Sequence, residues 1–334
     1  MTLNIALLGA GRIGRVHARA VAGTPGARLI AVSDAMPEAA ASLAAEHGAE
    51  ARPMEAIADA ADVDAVLICT PTDTHADLIE LHARAGQAIF CEKPVDLSPA
   101  RVRACLATVA EAGVPLMVGF NRRFDPHFVA LRRAIEKGAI GRVEMAVITS
   151  RDPGLPHLDY LPRSGGIFRD MTIHDFDMAR WLLGEEIETV QAAASVLVDP
   201  RVGEMGDADS ASAILTTASG RQAVITNSRR AAYGYDQRIE VLGSKGMAAA
   251  ENQRAADIEI ATADGFTRPP LLDFFMTRYV AAYAAEIAAF IEAVRTGAPP
   301  APSGEDGLAA LMLAEAAIRS AAEERRVRVA EVAG

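Results

Sequence analysis

The sequence predicts an α/β chain in two parts: an N-terminal doubly wound parallel sheet, then a C-terminal α/β domain built on an open, mostly antiparallel sheet. Over the first 120 residues, short and almost wholly apolar strands alternate with helices, as in a parallel sheet covered on both faces. From Glu188 onward the strands alternate apolar and polar residues, as in a sheet with one open face. The chain has 334 residues, enough for each part to form its own hydrophobic core.

The elements of the N-terminal part are apolar runs separated by glycine, proline and polar residues. The predicted strands are residues 4–8, 28–33, 65–70, 88–91 and 115–120, and the predicted helices are residues 12–22, 37–46, 74–85 and 99–112. We therefore expect two domains, residues 1–120 and 121–334. An alternative within this division is that the C-terminal helix packs back on the first domain.

The C-terminal part begins with a predicted helix at 125–137 and a strand at 142–150, followed by a loop rich in proline. Two β-hairpins come later, one turning at Ser219-Gly220 and the other at residues 244–246. Two alanine-rich helices, near 275–295 and 304–324, and a short strand at 326–332 end the chain.

The net charge of −11 and a pI near 5.2 argue against nucleic acid or an anionic membrane as a partner. No apolar run is long enough to span a bilayer, and MTLNIALLGAGRIG leads directly into a strand and a turn, unlike a signal peptide. The three cysteines, Cys69, Cys91 and Cys105, fit neither a disulfide framework nor a CxxC metal site. We therefore expect a cytoplasmic protein.

The stretch GAGRIG places Gly9, Gly11 and Gly14 in G-x-G-x-x-G spacing between an apolar strand and a helix. In that context Gly9 allows a tight turn, Gly11 the approach of a pyrophosphate, and Gly14 the packing of helix on strand. Asp34 ends the second strand, where a carboxylate suits ribose hydroxyls and repels a 2′-phosphate, and no Lys or Arg follows in AMPEAA. The sequence therefore predicts NAD rather than NADP, the alternative being a glycine turn without a ligand.

Two further strands end in polar stretches, TPTDTHA and CEKP, at the sheet edge where ligands of such folds bind. Lys93 is a candidate electrostatic or acid–base group, the alternative being a solvated loop lysine. His75 either lies near the nicotinamide or has a structural role at the start of its helix. We expect the cofactor contacts to be Gly9, Gly11, Arg12, Ile13, Gly14, Asp34, Thr70, Pro71, Thr72, His75, Glu92 and Lys93.

The stretch GGIFRDMTIHDFDMARWL carries several acidic residues and a histidine among apolar ones. In a regular α-helix each residue turns roughly 100° about the axis. If this stretch is such a helix, one side of it, within an arc of about 60°, carries Asp170, His174, Asp177 and Trp181. The adjacent apolar stripe is Met171, Met178 and Leu182, with Asp175 near it and so expected to pair elsewhere.

Three interpretations of this helix are open. In the first, its aspartate and histidine line a cleft and move a proton. In the second, they form a partly exposed ion pair at a helix start. A metal site built from Asp170 and His174 is the weakest of the three, because no further ligands converge on it.

Taken together, GAGRIG, TPTDTHA, CEKP, GFNRRFDP and GGIFRDMTIHDFDMARWL resemble the motifs of the Gfo/Idh/MocA oxidoreductases, in the expected order and over nearly the whole chain. Within that family, the GG-F-x-D lead and the D-x-x-x-H helix are most similar to the branch that acts on inositols. The resemblance implies a Rossmann domain joined to a larger domain whose open sheet commonly mediates a tetramer or a dimer. It also implies hydride transfer between NAD(P) and a ring hydroxyl of a sugar or cyclitol.

The resemblance implies that a lysine, an aspartate and a histidine surround the reacting carbon, and here these are Lys93, Asp170 and His174. We expect His174 to act as the general base and Lys93 to stabilise the developing negative charge. Asp170 is expected to orient the imidazole and to bind a substrate hydroxyl.

Two pairs of residues are further candidates for contact with the polyol. Tyr233 or Tyr235 of AAYGYDQ resembles a substrate contact, and Tyr235 is the one we name. Arg122 or Arg123 of GFNRRFD reaches the site in one interpretation, with Arg122 as the contact; in the other, both form surface salt bridges.

The expected activity is the NAD-dependent oxidation of a cyclic polyol, first of all myo-inositol to 2-keto-myo-inositol (scyllo-inosose). The alternatives are another inositol isomer or a pyranose sugar and, outside the enzymes, an NAD-binding regulator that does no chemistry. The presence of both Lys93 and His174 counts against the regulator. We expect no metal, no nucleic-acid or membrane partner, and a homo-oligomer that is a tetramer or a dimer.

Overall fold

The computed structural model describes residues 2–332, which form two compact units. The first unit contains the chain up to Asp125 together with Val280–Leu311. The second unit contains Pro126–Tyr279 and the chain from Met312 onward. The domain division at residue 120 stays a prediction.

The secondary structure comprises strands and helices of very unequal length. The strands are β1 (Leu3–Leu8), β2 (Ala27–Ser33), β3 (Glu50–Ala51), β4 (Ala65–Ile68), β5 (Ala88–Glu92), β6 (Leu116–Gly119), β7 (Val143–Arg151), β8 (Ile187–Ser195), β9 (Ser210–Thr217), β10 (Gln222–Ser228), β11 (Asp236–Gly243), β12 (Gly246–Ala250), β13 (Ile260–Thr262), β14 (Gly265–Thr267) and β15 (Val327–Arg328). The helices are α1 (Arg12–Ala22), α2 (Pro37–His47), α3 (Met54–Ala58), α4 (His75–Arg84), α5 (Pro99–Ala112), α6 (Pro126–Glu136), α7 (Leu161–Ser164), α8 (Ile173–Leu183), α9 (Pro200–Glu204), α10 (Phe275–Arg278), α11 (Val280–Thr296) and α12 (Gly304–Glu323). Within residues 2–332, no helix is long and apolar enough to cross a membrane.

The first unit is built on a six-stranded parallel sheet in the order β3-β2-β1-β4-β5-β6. The chain order reverses between β1 and β4, and in doubly wound sheets the ligand binds where the strands end at this reversal. The glycine turn follows β1 and TPTDTHA follows β4, so the topology places both stretches at that edge.

The core of the first unit lies between the sheet and its helices. Apolar side chains of β1, β2, α1 and α2 form one cluster with Ile287, Phe290 and Ile291 of α11, which packs on α1. Each fully buried side chain of this size contributes about 1.5–3 kcal/mol to folding. The helix α11 therefore belongs to the Rossmann-type core although it lies far along the chain.

The predicted doubly wound parallel sheet is confirmed, and the predicted helices at 12–22 and 99–112 match α1 and α5 residue for residue. The helix predicted at 74–85 begins at His75, after a 3₁₀ turn at Thr72–Thr74. The elements β3 and α3 were not predicted, because two-residue strands and five-residue helices are too short to show a periodic pattern.

The second unit is built on a seven-stranded sheet in the order β12-β11-β7-β10-β9-β8-β15. All neighbours pair antiparallel except β7 and β10, which pair parallel, so the mostly antiparallel sheet is confirmed. Along β9 and β11, buried and exposed residues alternate, and α8 packs on β7 and β10. One face of the sheet is therefore covered, and residues of the other face are exposed.

The two predicted hairpins are present as β9–β10 and β11–β12, the second closed by Gly243 opposite Gly246. The predicted helix at 275–295 is interrupted at Tyr279, which separates α10 from α11. The small hairpin β13–β14 was not predicted, since its three-residue strands are exposed throughout or nearly so and lack an apolar pattern.

Candidate active site

The turn between β1 and α1 contains three glycines with different surroundings. Gly9 has a φ of +99°, and a Cβ there would lie 2.5 Å from the carbonyl oxygen of Cys69. A Cβ at Gly14 would lie 1.9 Å from the carbonyl oxygen of Gly9, so only glycine lets α1 pack this closely. A Cβ at Gly11 would meet nothing within 4 Å. Space thus remains above Gly11, where a pyrophosphate would approach the backbone.

The first turn of α1 is suited to an anion. Gly11 is its N-cap and offers no side-chain capping bond, and no acidic residue lies in the first turn. The N–H groups at this end therefore have no side-chain acceptor from the cap and remain available to phosphate oxygens. Arg12 is exposed and Ile13 partly exposed at the same end.

Asp34 is fixed beside the glycine turn by main-chain donors. Its Oδ2 accepts the N–H of Ala10 at 2.6 Å, and its Oδ1 accepts the N–H of Met36 at 2.8 Å. Each carboxylate oxygen keeps a further lone pair that can accept a ribose hydroxyl. The glycine turn and Asp34 together fit the pyrophosphate and ribose of a dinucleotide.

His75 joins the two strand-end stretches that follow β4 and β5. Its Nε2 lies 2.8 Å from the carbonyl oxygen of Thr70, and its Nδ1 lies 2.8 Å from that of Pro94. The ring is 1% exposed, and burial lowers its pKa although both carbonyl contacts oppose this. These contacts favour the structural alternative for His75, as a connection between the two loops.

The CEKP stretch follows β5 and turns at a cis peptide bond between Lys93 and Pro94. Lys93 is half-buried. The preceding Glu92 has an Oε1 only 2.6 Å from Nε2 of His17, which is fully buried on α1. The Glu92–His17 contact therefore ties the residue before Lys93 to the helix that follows the glycine turn.

Glu286 of α11 is a fully buried acid in the same unit. Neither of its carboxyl oxygens has a hydrogen-bond partner among the described residues. Burial first, and then the charge of Glu92, raises the pKa of Glu286 well above its ordinary value of 4.5. At a pH between the ordinary pKa and the raised one, the folded chain holds a proton on Glu286 that the unfolded chain releases.

We expect Glu286→Gln to change the pH dependence of stability. The stabilisation linked to the Glu286 proton is fully present below the pKa of the unfolded chain and is lost as pH rises through the raised folded pKa. Glutamine keeps the shape and removes the proton, so this loss, up to about 1.4 kcal/mol per pH unit, is expected to be absent from the variant. The measurement is the free energy of unfolding in urea at pH values between 5.5 and 8.5, in steps of about one pH unit.

The matched control for this prediction is Glu111→Gln, at an exposed position of α5. It removes the same carboxyl group without a buried proton and should leave the pH slope of the original chain. If the free energy of unfolding changed with pH equally in the original chain and in Glu286→Gln, Glu286 would not be a buried neutral acid.

The arginines after β6 differ in their environment. Arg123 donates from Nη2 to Oδ1 of Asp306 at 3.0 Å, so the salt-bridge interpretation holds for Arg123. Arg122 is 5% exposed, and the surface interpretation is therefore wrong for it. Its role as a substrate contact stays a prediction.

The stretch 165–182 in the second unit is helical but is not one regular α-helix. Phe168–Thr172 forms a π-helical turn, and α8 begins at Ile173. Because a π turn bonds each residue to the fifth along, Asp170 does not share the 100° spacing of α8. The predicted regular arc from Asp170 to Trp181 is therefore wrong at its first member.

The two glycines before this turn have a structural cause. Gly165 and Gly166 both have positive φ, +82° and +84°. A Cβ at Gly166 would lie 3.0 Å from Oδ1 of Asp207, and the same oxygen accepts the N–H of Ile167 at 2.8 Å. The start of the π turn is therefore held by a carboxylate from a distant part of the chain.

Asp170 is 13% exposed, and each of its oxygens has a donor. Oδ2 accepts Nη1 of Arg229 at 3.1 Å, and Oδ1 accepts the hydroxyl of Tyr160 at 2.7 Å. Arg229 is 2% exposed and lies just after β10. The ion pair between Asp170 and Arg229 thus joins the π turn to the end of β10.

The polar side chains at the start of α8 differ in their exposure. His174 is partly exposed. Asp175 is fully buried and accepts bonds from Ser150 at 2.6 Å and Asn227 at 2.7 Å, which confirms that it pairs elsewhere. Asp177 is also fully buried. The residues of the predicted apolar stripe are all buried, Met171 in the π turn and Met178 and Leu182 in α8.

Known proteins similar to this chain cover nearly its whole length. A family model described as the NAD-binding Rossmann fold of an oxidoreductase family matches residues 3–120, and one for the GFO/IDH/MocA C-terminal domain matches residues 128–249. An "Inositol 2-dehydrogenase" of Rhizobium meliloti is 67% identical over 99% of this chain and 100% of its own length. A "Myo-inositol 2-dehydrogenase" of Thermotoga maritima is 47% identical over 99% and 100%. The crystal structure of a myo-inositol dehydrogenase from Corynebacterium glutamicum has a TM-score of 0.95 and 43% identity, covering 98% of this chain and 99% of that one.

The chain belongs to the Gfo/Idh/MocA family of oxidoreductases. Membership assigns NAD to the glycine turn, in agreement with the space above Gly11 and with the position of Asp34. Of the residues that this Gfo/Idh/MocA protein was predicted to use, the structure brings Gly9, Gly11, Gly14 and Asp34 together in the first unit. Asp170 and His174 lie on adjoining helical segments of the second unit.

The two tyrosines of AAYGYDQ have opposite environments in this Gfo/Idh/MocA chain. Tyr233 is 52% exposed, and its hydroxyl donates to Asp236 and accepts from Arg151. Tyr235 is 6% exposed and packs edge-on against the rings of Phe274 and Tyr279. The choice of Tyr235 as a substrate contact stays a prediction.

Sequence reasoning missed Arg229 and Tyr160 as partners of Asp170, and it missed Asp207 beside Arg229. Arg229 is 59 residues from Asp170, and the only signal was a pair of arginines at the end of a predicted strand. Tyr160 lies in the proline-rich loop, in which no residue was predicted from the sequence to contact Asp170, and His157 of the same loop is 82% exposed. Among residues 2–332, no three His, Cys, Asp or Glu side chains are placed to hold a metal ion.

Proposed function

We propose that this chain oxidises myo-inositol to 2-keto-myo-inositol (scyllo-inosose) with NAD. The observation that carries the proposal is the 67% identity, over 99% of the chain, to a protein named for inositol 2-dehydrogenase activity. The site supports it, because a polyol with many hydroxyls needs polar groups such as Asp170 and His174, and the first unit fits a dinucleotide.

We assign the proton transfer to His174. Its Nδ1 is buried, so Nε2 is the nitrogen that takes the hydroxyl proton of the substrate. Imidazole suits this task because its ordinary pKa lies close to neutral pH. The chemistry supplied by NAD is uptake of the hydride that leaves the ring carbon.

We assign charge stabilisation to Lys93 and orientation of the substrate to Asp170. The ammonium of Lys93 stabilises the negative charge that develops on the oxygen as its proton leaves. Asp170 accepts a hydrogen bond from a neighbouring hydroxyl of the ring, since a carboxylate oxygen that already has one donor can accept another. Arg122 and Tyr235 remain the further candidate contacts.

The NAD contacts in this proposal are the predicted set. The backbone at Gly9, Gly11, Arg12, Ile13 and Gly14 binds the pyrophosphate, and Asp34 binds the adenosine ribose. The strand ends supply the rest: Thr70, Pro71, Thr72, His75, Glu92 and Lys93. His75 acts through the loops that it connects, because both of its ring nitrogens already face carbonyl oxygens.

The experiment that tests the function is the initial rate of NADH formation with NAD and each of myo-inositol, scyllo-inositol, D-chiro-inositol and glucose. His174→Ala is measured beside the original chain. Fast turnover of myo-inositol, lost in the variant, is the expected result. Turnover of another polyol alone would keep the mechanism and change the substrate. NAD binding without turnover of any polyol would favour a regulator.

We also propose that the chain forms a homo-oligomer, a tetramer or a dimer, through the open face of the second sheet. Leu242 pairs in register with both Met145 and Met247, and Val224 lies between Val147 and Ile214. Five of these six side chains are exposed, all but Val224. Such an apolar patch is typical of an interface, and the mass in solution measures it directly. A cytoplasmic place and a role in inositol catabolism complete the proposal.

A further inference from the structure

Arg229 occupies an unusual position for a cation. Its side chain is 2% exposed, and Nη1 donates to Asp170 at 3.1 Å. On its other side, Nη2 lies 3.8 Å from Oδ2 of Asp207. A buried guanidinium is unfavourable unless carboxylates surround it. Burial lowers the pKa of Arg229, but Asp170, Asp207 and Asp152 together outweigh it, and the net shift is upward.

The base of this side chain is held by the backbone. The N–H of Arg229 donates to the carbonyl oxygen of Asp209 at 2.8 Å. The carboxylate of Asp209, which is fully buried, in turn accepts the N–H groups of Leu197, Val198 and Asp199. Arg229 therefore projects from a fixed point, and its planar group can hold a carboxylate in one orientation.

The two donors to Asp170 differ in how easily they can be replaced. Arg229 on Oδ2 is buried, whereas Tyr160 on Oδ1 is 45% exposed. A substrate hydroxyl can share Oδ1 with Tyr160 or displace it, because the exposed hydroxyl can bond to water instead. Oδ2 is shielded from such exchange.

We propose that Arg229 is the positioning residue for Asp170: it fixes one carboxylate oxygen so that the other meets a hydroxyl of the polyol. The inference rests on the proposed function, in which Asp170 contacts the substrate. It assigns a role in recognition to a residue that itself need not touch the substrate.

The first test compares variants that each remove one donor to Asp170. Arg229→Gln removes the buried donor, and Tyr160→Phe removes the exposed one. We expect Arg229→Gln to lower kcat/KM for the polyol by on the order of 10- to 100-fold, the worth of a hydrogen bond to a charged group, and Tyr160→Phe to lower it by less than about 5-fold. Arg229→Lys, which keeps the charge, should recover part of the loss. The Kd for NADH should not change in any of the three.

The second test is a double-mutant cycle with Asp170→Asn. If Arg229 acts through Asp170, adding Arg229→Gln to Asp170→Asn lowers kcat/KM little further. Independent, multiplying losses would overturn the inference, as would an Arg229→Gln variant with the original kcat and KM. Where Arg229→Gln does not fold, the lysine variant decides: Arg229→Lys should lower kcat/KM in the Asp170 chain and lower it little further in Asp170→Asn, and an equal loss in the two chains would overturn the inference. A wild-type chain inactive on every polyol would overturn the proposed function, and this inference with it.

Discussion

His174→Ala is expected to lower kcat for the polyol by about 10²- to 10⁴-fold, the usual contribution of a general base. Without the imidazole, the hydroxyl proton has no accessible carboxylate acceptor on α8, because Asp175 and Asp177 are fully buried. KM should change much less, since Asp170 keeps its donors Tyr160 and Arg229 when His174 is replaced. The measurement is steady-state NADH formation over a range of polyol concentrations and pH.

The control for this variant is His157→Ala, in the same unit and 82% exposed. It should keep the original kcat. The Kd for NADH, measured by its fluorescence, should be the same in both variants and in the original chain, because the predicted NAD contacts all lie in the first unit. A kcat for His174→Ala within a few-fold of the original would exclude His174 as the general base and would make Lys93 the next candidate for that role.

A large part of the fold could be predicted because its signals are local. The strands of the first sheet are apolar runs, and the turn after β1 has a glycine spacing that the backbone requires. The hairpin β9–β10 was predicted from Ser219-Gly220 between two alternating runs. In each case, a few consecutive residues determine the structure.

What could not be predicted depends on contacts between distant segments. The π turn begins where Asp207 binds the N–H of Ile167, 40 residues earlier in the chain. Asp170 and Arg229 meet only because the end of β10 lies beside that turn. The parallel pairing of β7 with β10 is of the same kind, since no local pattern specifies a partner strand. The candidate site is where these contacts concentrate, so its residue types could be predicted while their partners could not.

The second large effect is expected at the glycine turn, where Gly14→Ala and Gly11→Ala should fail in different ways. The Cβ of Gly14→Ala would lie 1.9 Å from the main-chain oxygen of Gly9, so α1 or the turn must move. We expect a loss of more than about 3 kcal/mol in the free energy of unfolding, beyond ordinary overpacking. Urea unfolding without NAD measures this loss.

Gly11→Ala should fold normally and bind NAD poorly. Its φ of −70° suits alanine, and its Cβ would meet nothing within 4 Å. Alanine is a weaker N-cap than glycine, but it restricts the unfolded chain, and the two effects nearly cancel. The added methyl group occupies the space where the pyrophosphate approaches, so the Kd for NADH should rise by roughly 10- to 200-fold.

An unchanged Kd in a stable Gly11→Ala chain would place the pyrophosphate away from this turn. A stable Gly14→Ala chain would instead show that α1 can shift away from Gly9 at little cost. Only the combination of an unstable Gly14 variant and a stable, weakly binding Gly11 variant separates the glycine that the fold requires from the glycine that the ligand requires.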